Sequence, residues 1–184
     1  TKKQVKTLED LKGLKLHTTG ATSADAMTKL GAVPMMGNIM EWYESMERGV
    51  SDGVQVPMNT MPGFRFQEVV HYHTMTNFAV ASFLVAMNKK AFNKLPADVQ
   101  KVIMDNSGLE MAVISGKTYD KIGEFGISMA KKAGNTFYYL PSEERKRWVE
   151  KTLPVREEWV KDMEGKGLPG KAVLEYALEL NTKL

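Results

Sequence analysis

A chain of 184 residues, 43% hydrophobic and 26% charged, can bury one substantial domain or two small lobes and is too apolar for disorder. Its net charge of +3 comes from dispersed basic residues, so no nucleic-acid partner is indicated; Lys2, Lys3 and Lys6 read as a solvated N-terminal segment. The absence of cysteine excludes disulfides, thiolate metal sites and thiol nucleophiles.

Thr1–Leu16 reads as structured interior sequence and not as a signal peptide. Thr7 to Asp10 resembles a capping box, and Gly13 closes that single helical turn. Leu14–Thr18 is expected to be a short strand. A helix over Thr22–Leu30 follows, capped by Ser23, with Ala24, Met27 and Leu30 on one face and Gly31 as its stop. Ala32–Met36 reads as a second strand. Asn38 with Glu41 three residues on opens a helix that Gly49 ends. Gly53–Pro57 is the third expected strand, and a turn at Met61-Pro62-Gly63 leads into a fourth, Glu68–Met75. Single helices between strands imply βαβ units and a mostly parallel sheet.

Phe78–Met87 reads as a long buried strand; as the longest apolar run it is about half of what a membrane-spanning helix needs. From Pro96 to Gly134 apolar residues recur at helical spacing, predicting one long helix bent near Gly108 or Gly116. A strand over Asn135–Leu140 precedes a helical tail from Ser142, interrupted at Pro154 and again around Gly165–Gly170. The class is α/β with a helical second half.

No catalytic constellation assembles from these residues. His71 and His73 lie two apart on a predicted strand and so share a face; with His17 they would make three nitrogen ligands for zinc. No acidic second shell accompanies them, and a half-exposed strand face is the preferred reading. No Gly-x-Ser-x-Gly occurs, Lys166 to Gly170 lacks a phosphate-binding pattern, and no acidic ladder follows Asp52-Gly53. No metal, cofactor or enzymatic activity is expected.

Six segments in order carry a family resemblance. They are Leu8-Glu-Asp-Leu-Lys-Gly-Leu-Lys-Leu16, Leu30-Gly-Ala-Val-Pro-Met35 with Glu41-Trp-Tyr43, Arg48-Gly-Val-Ser-Asp-Gly53, Glu68-Val-Val-His-Tyr-His-Thr74, Ala86-Met-Asn-Lys89, and Leu95-Pro-Ala-Asp-Val-Gln100. Together they resemble the periplasmic solute-binding proteins of TRAP-type transporters (the DctP-like family). The resemblance implies a type II periplasmic-binding-protein-like fold in a chain whose first lobe is largely missing. Residues 1–76 would form the second α/β lobe. Residues 77–184 would supply the returning strand, the long spanning helix, a strand and the helical C-terminal tail.

The implied function is extracytoplasmic: lobes close on a small organic solute, expected to be an acid, and deliver it to the TRAP membrane permease. Service to a sensor system is the alternative, and a histidine-metal enzyme a more distant one. The family's carboxylate-pairing arginine falls on His17, and an asparagine before the proline of the third strand falls on Val56. The resemblance further implies solute contacts from Thr19, Asn38, Ile39, Gln55, Met58 and Phe78. Of Gln55 and Asn59, one at most is expected to line the cleft. Trp42 and the methionines Met35, Met36, Met40, Met58 and Met61 could wall a pocket, but core packing is the preferred reading. With first-lobe partners missing, Phe78–Met87 and the long helix would expose apolar surface. A homodimer, formed by exchange of that helix, is therefore expected.

Overall fold

The computed structural model describes residues 1–77 and 83–181. Strands β1 (Lys15–His17), β2 (Val33–Met35) and β3 (Gly53–Val54) form a parallel sheet in the order β2-β1-β3. Helix α1 (Ala21–Lys29) crosses from β1 to β2, and α2 (Trp42–Glu47) from β2 to β3. Gly31 (φ 93°) and Gly49 (φ 74°) end these helices in the left-handed region that favours glycine. The cap of α1 is Gly20, with no side-chain bond, and Ser23 lies inside the helix. Asn38 does cap: its side-chain oxygen accepts from Met40 N at 3.1 Å.

Strand alternation sends neighbouring side chains to opposite faces of this sheet. On one face Leu14 and Leu16 join Val5, Leu11, Met27, Leu30, Ala32 and Trp148. On the other, Trp42, Met46, Met61, Phe66, Val69 and Val70 form a second core. Phe66 and Met46 are fully buried, each stabilising the fold by about 2–3 kcal/mol through loss of apolar contact with water.

The Met61-Pro62-Gly63 segment is not a turn but a one-turn helix, α3 (Met61–Phe64), because Pro62 suits a first helical turn. A 3-10 turn over Phe66–Glu68 follows, so the fourth strand shortens to β4 (Tyr72–Met75). β4 does not extend the first sheet. It pairs in parallel with β5 (Thr136–Tyr139), forming a second, two-stranded sheet. The N-terminal segment bridges the two sheets: Lys2 N donates to Asp52 O, and Thr1 O accepts from His71 N and Tyr72 N.

The strand expected over Phe78–Met87 lies partly outside the described residues, and 83–87 adopt no regular structure. Leu84 and Val85 are 90% and 100% exposed, with no strand paired to them among the described residues. A short helix, α4 (Lys89–Phe92), is capped by Asn88. The long helix is two helices, α5 (Ala97–Asp105) and α6 (Gly108–Lys132), broken where Gly108 takes φ 78°. Helix α7 (Ser142–Gly165) runs through Pro154 without interruption. Pro154 and Glu150, whose carbonyl loses its donor, are both exposed, on a side of the helix where solvent can satisfy the freed carbonyl. Arg147 anchors α7 by pairing with Glu9 and with Glu144, and Glu144 Oε1 also accepts from Leu8 N at 2.6 Å. Helix α8 (Gly170–Asn181) packs back on α7.

Candidate functional site

The three parallel strands end together. His17 closes β1, opposite Met35 on one side and Val54 on the other. Its side chain turns away from Leu16 and onto α2, where it stacks on Trp42 with ring centroids 5.0 Å apart. The column continues through Trp42–Phe66 at 6.4 Å and Phe66–Phe64 at 5.5 Å. His17 Nε2 lies 3.0 Å from Ser45 Oγ, which lies 3.1 Å from the buried Ser51 Oγ. This serine pair holds one edge of the imidazole in place. The other nitrogen, Nδ1, is buried and makes no well-formed hydrogen bond, its ring having only a weak contact with the Met35 backbone.

Trp42 Nε1 is buried without a partner, as are Gln55 Oε1, Asn59 Oδ1 and Gln67 Oε1. A buried polar atom without a partner costs about 1–3 kcal/mol, so such atoms call for an explanation. Two of them belong to stacked rings where the sheet's strands end, the position at which open parallel sheets bind ligands. Burial pushes the His17 pKa below its ordinary value, with the Met35 backbone partly opposing. The imidazole is therefore neutral near pH 7, a hydrogen-bonding group and not a charge.

Ile39, Val56 and Met58 are half-buried against the core that contains Trp42 and Phe66. Gln55 follows β3, and its backbone N–H donates to His17 O at 2.8 Å. Thr19 is exposed, and Asn38 spends its side-chain oxygen on capping. Phe78 lies outside the described residues. The methionines do not form one wall: Met61 is core, whereas Met36 and Met40 are exposed. Trp42 is 2% exposed, as core packing predicts, yet its unpartnered N–H adds what the sequence did not show. Ser45 and Ser51 escaped the sequence reading; serine spacing six apart carries no local signal for a bond to His17.

Beside this region a hollow of about 230 Å3 is lined by Ile39, Met40, Tyr43, Gly63, Phe64 and Arg65. Arg65 is already engaged there, pairing with both oxygens of Glu68 at 2.8 and 2.9 Å, while Tyr43 OH donates to the same carboxylate.

The two other histidines separate. His73 is buried, stacked on Phe137, with Nε2 2.7 Å from Asn135 Oδ1; His71 is exposed. Asn135 Nδ2 donates to Gln67 O, which orients the amide so that its oxygen accepts from His73. Burial pushes the His73 pKa down, partly opposed by the Asn135 contact. Among the described residues no group of three His, Asp or Glu is placed to hold a metal.

A parallel βαβ lobe with unpartnered polar atoms at its strand ends belongs with binding folds. A family profile described as "Bacterial extracellular solute-binding protein, family 7" (DctP) matches residues 1–162. The "C4-dicarboxylate-binding periplasmic protein DctP" of Rhodobacter capsulatus is 32% identical over 157 residues, covering 82% of this chain and 45% of that protein. A TRAP solute-binding protein from Rhodoferax ferrireducens, solved with copurified benzoate, superposes with a TM-score of 0.87 at 30% identity. That match covers 98% of this chain and 58% of the other. A marine metagenome TRAP solute-binding protein from an unidentified microbe, described as specific for aromatic acid ligands, gives 0.89 at 26% identity, with the same two coverages of 98% and 58%. The chain therefore belongs to the bacterial extracellular solute-binding protein family 7, and its fold is that of the TRAP solute-binding proteins. It spans about half the length of the curated relatives it matches, 45% and 51% for two of them.

Proposed function

We propose that the chain supplies part of an extracytoplasmic solute receptor that binds a small organic acid and delivers it to a TRAP membrane permease. It would act in the periplasm and carry out no chemistry on its ligand. Residues 1–76 would be the solute-facing lobe, and residues 77–184 the part that connects it to the rest of the receptor. The observation that carries this reading is the pair of buried nitrogens, Trp42 Nε1 without a partner and His17 Nδ1 without a well-formed hydrogen bond, on stacked rings at the strand ends. Ile39, Val56 and Met58, packed on the same core as Trp42, would offer apolar contact, which suits an acid with an apolar or aromatic body. The ligands named for the two solved relatives, benzoate and aromatic acids, are of that kind.

The chain holds three tryptophans, each a separate indole N–H signal in a 15N-labelled sample. Titration with benzoate and with succinate is expected to shift the Trp42 indole and leave the buried Trp148 unmoved. A Trp42 signal that stays fixed for both acids at concentrations up to solubility overturns the reading.

A further inference from the structure

We infer that the hollow between α1, α7 and α8 is a second ligand site, for a small amphipathic carboxylate. It lies beyond α1, on the side of the sheet opposite His17, and does not depend on the solute site proposed above. Its volume is about 260 Å3. The hollow is open to solvent on one side, and its volume exceeds the ~150 Å3 of an enclosed engineered cavity that takes up benzene. Val155 and Trp159 of α7 form one wall, and Val173, Leu174 and Ala177 of α8 form the other, with almost no polar atom between them. Water gains no hydrogen bonds there, whereas a ring or a short alkyl chain gains contact with every wall.

The rim supplies the charge. Arg156 contributes its aliphatic stem to the hollow, its residue is exposed, and it makes no ion pair among the described residues. The nearest acids in sequence are Glu157 and Glu158, and Glu158 is neutralised by Lys29 Nζ at 2.8 Å. Thr22 completes the rim from the first turn of α1, a turn without an acidic residue or a capping side chain. Its backbone N–H groups add positive potential at that rim, partly offset by the exposed Asp25 one turn further along α1. An apolar slot with a cation at its rim that makes no ion pair among the described residues selects an apolar body carrying an anionic head over a neutral molecule of the same size.

Hexanoate and 1-hexanol, matched in carbon count, test this in the intact chain by the three indole signals. Hexanoate is expected to shift Trp159 saturably and about 1.4- to fivefold more tightly than hexanol, the range of an exposed ion pair. Arg156→Gln, an exposed change that should not disturb folding, is expected to bring the two affinities together. Ala177→Phe should fill the slot and abolish the Trp159 shift while the Trp148 signal stays in place. Equal affinity for acid and alcohol overturns the anionic selectivity. A shift at Trp42 without one at Trp159 overturns the site itself, and it does so independently of whether benzoate binds at His17.

Discussion

The imidazole of His17 lies flat on the indole of Trp42, with ring planes only 10° from parallel. Each ring carries a buried nitrogen without a well-formed hydrogen bond, so the stack fixes two polar atoms in one place without fully satisfying either. Trp42→Phe separates packing from hydrogen bonding. The substitution keeps the stack and removes the unsatisfied donor, at the cost of a small void. These effects oppose each other and should leave stability within about 1 kcal/mol of the parent. Binding of benzoate should nevertheless weaken. A urea midpoint unchanged together with weaker binding supports a ligand-facing role for Trp42 Nε1; unchanged binding refutes it.

Helix α6 meets the 3-10 turn Met58–Thr60 at Gly126, where an added Cβ would come within 2.2 Å of the Met58 carbonyl oxygen. Three residues earlier, at Gly123, the nearest atom would be Asn59 N at 4.0 Å. Both are interior helix positions, so alanine improves helix propensity equally, by about 0.8–1 kcal/mol. Gly126→Ala must push the helix off a backbone, and a net loss of about 1–2 kcal/mol is expected. Gly123→Ala should be stabilising by about 0.5–1 kcal/mol. Chemical denaturation of the two variants measures both, and equal effects would show that α6 does not rest on that turn.

Stability should fall on acidification before the carboxylates titrate. His73 has a folded pKa below its ordinary 6.5 because it is buried on β4 against Phe137 of β5, with the Asn135 contact partly opposing. Between the folded value and 6.5 the unfolded chain binds the extra proton, so stability rises with pH across that window. The contribution is complete above 6.5 and is lost as pH falls through the folded value. His17 acts in the same sense. Glu9, held at about 2 by Arg147, titrates between the unfolded 4.5 and that value, below most of this window. Urea midpoints from about pH 5 to pH 8 should therefore show a slope that His73→Gln reduces. Identical slopes would contradict a neutral, buried His73.

How much of this was legible in the sequence depended on whether the signal was local. The β1–α1–β2–α2–β3 order follows from short apolar runs and from glycines such as Gly31 and Gly49 that stop helices by their own backbone preference. The pairing of β4 with β5 joins residues some sixty positions apart and leaves no mark in either segment. Pro154 misled for the opposite reason: a strong local breaker was overridden because its face of α7 is wet. At the site, His17 stood out through its departure from the family pattern. The bond to Ser45 and the empty N–H of Trp42 arise only when two strands and a helix converge.

The helical second half carries apolar surface without a cover among the described residues. Val102, Leu109, Val113, Ile114 and Phe125 of α5 and α6 are exposed, and Phe83 stacks on Tyr119 beside them. Surfaces of this extent drive association. The chain should bind a hydrophobic dye and sediment as a concentration-dependent dimer. Leu109→Lys combined with Ile114→Lys should reduce both without lowering the denaturation midpoint. A monomer at high concentration that binds no dye would exclude a dimer through this face.

If the solute is a carboxylate, its affinity should depend on pH through His17. Arginine remains charged at every working pH and offers a two-pronged contact, whereas imidazole carries charge only when protonated. In the free protein burial keeps His17 neutral to a pH below 6.5. A carboxylate beside Nδ1 favours the imidazolium and raises that pKa in the complex. Affinity is then fully present below the free-protein pKa and declines as pH rises through the higher value of the complex. The charge-assisted contact is worth about 1.5–3 kcal/mol, or roughly ten- to hundredfold in affinity. Because the free pKa is depressed, most of the change should fall on the acidic side of a titration from about pH 5 to pH 8. His17→Arg should bind the acid more tightly at the alkaline end and flatten the profile. A neutral analogue of the same shape, such as benzamide in place of benzoate, should show no such slope in the parent protein. Benzoate binding that is flat across the range, and that His17→Arg neither strengthens nor flattens, would remove His17 from the solute contacts.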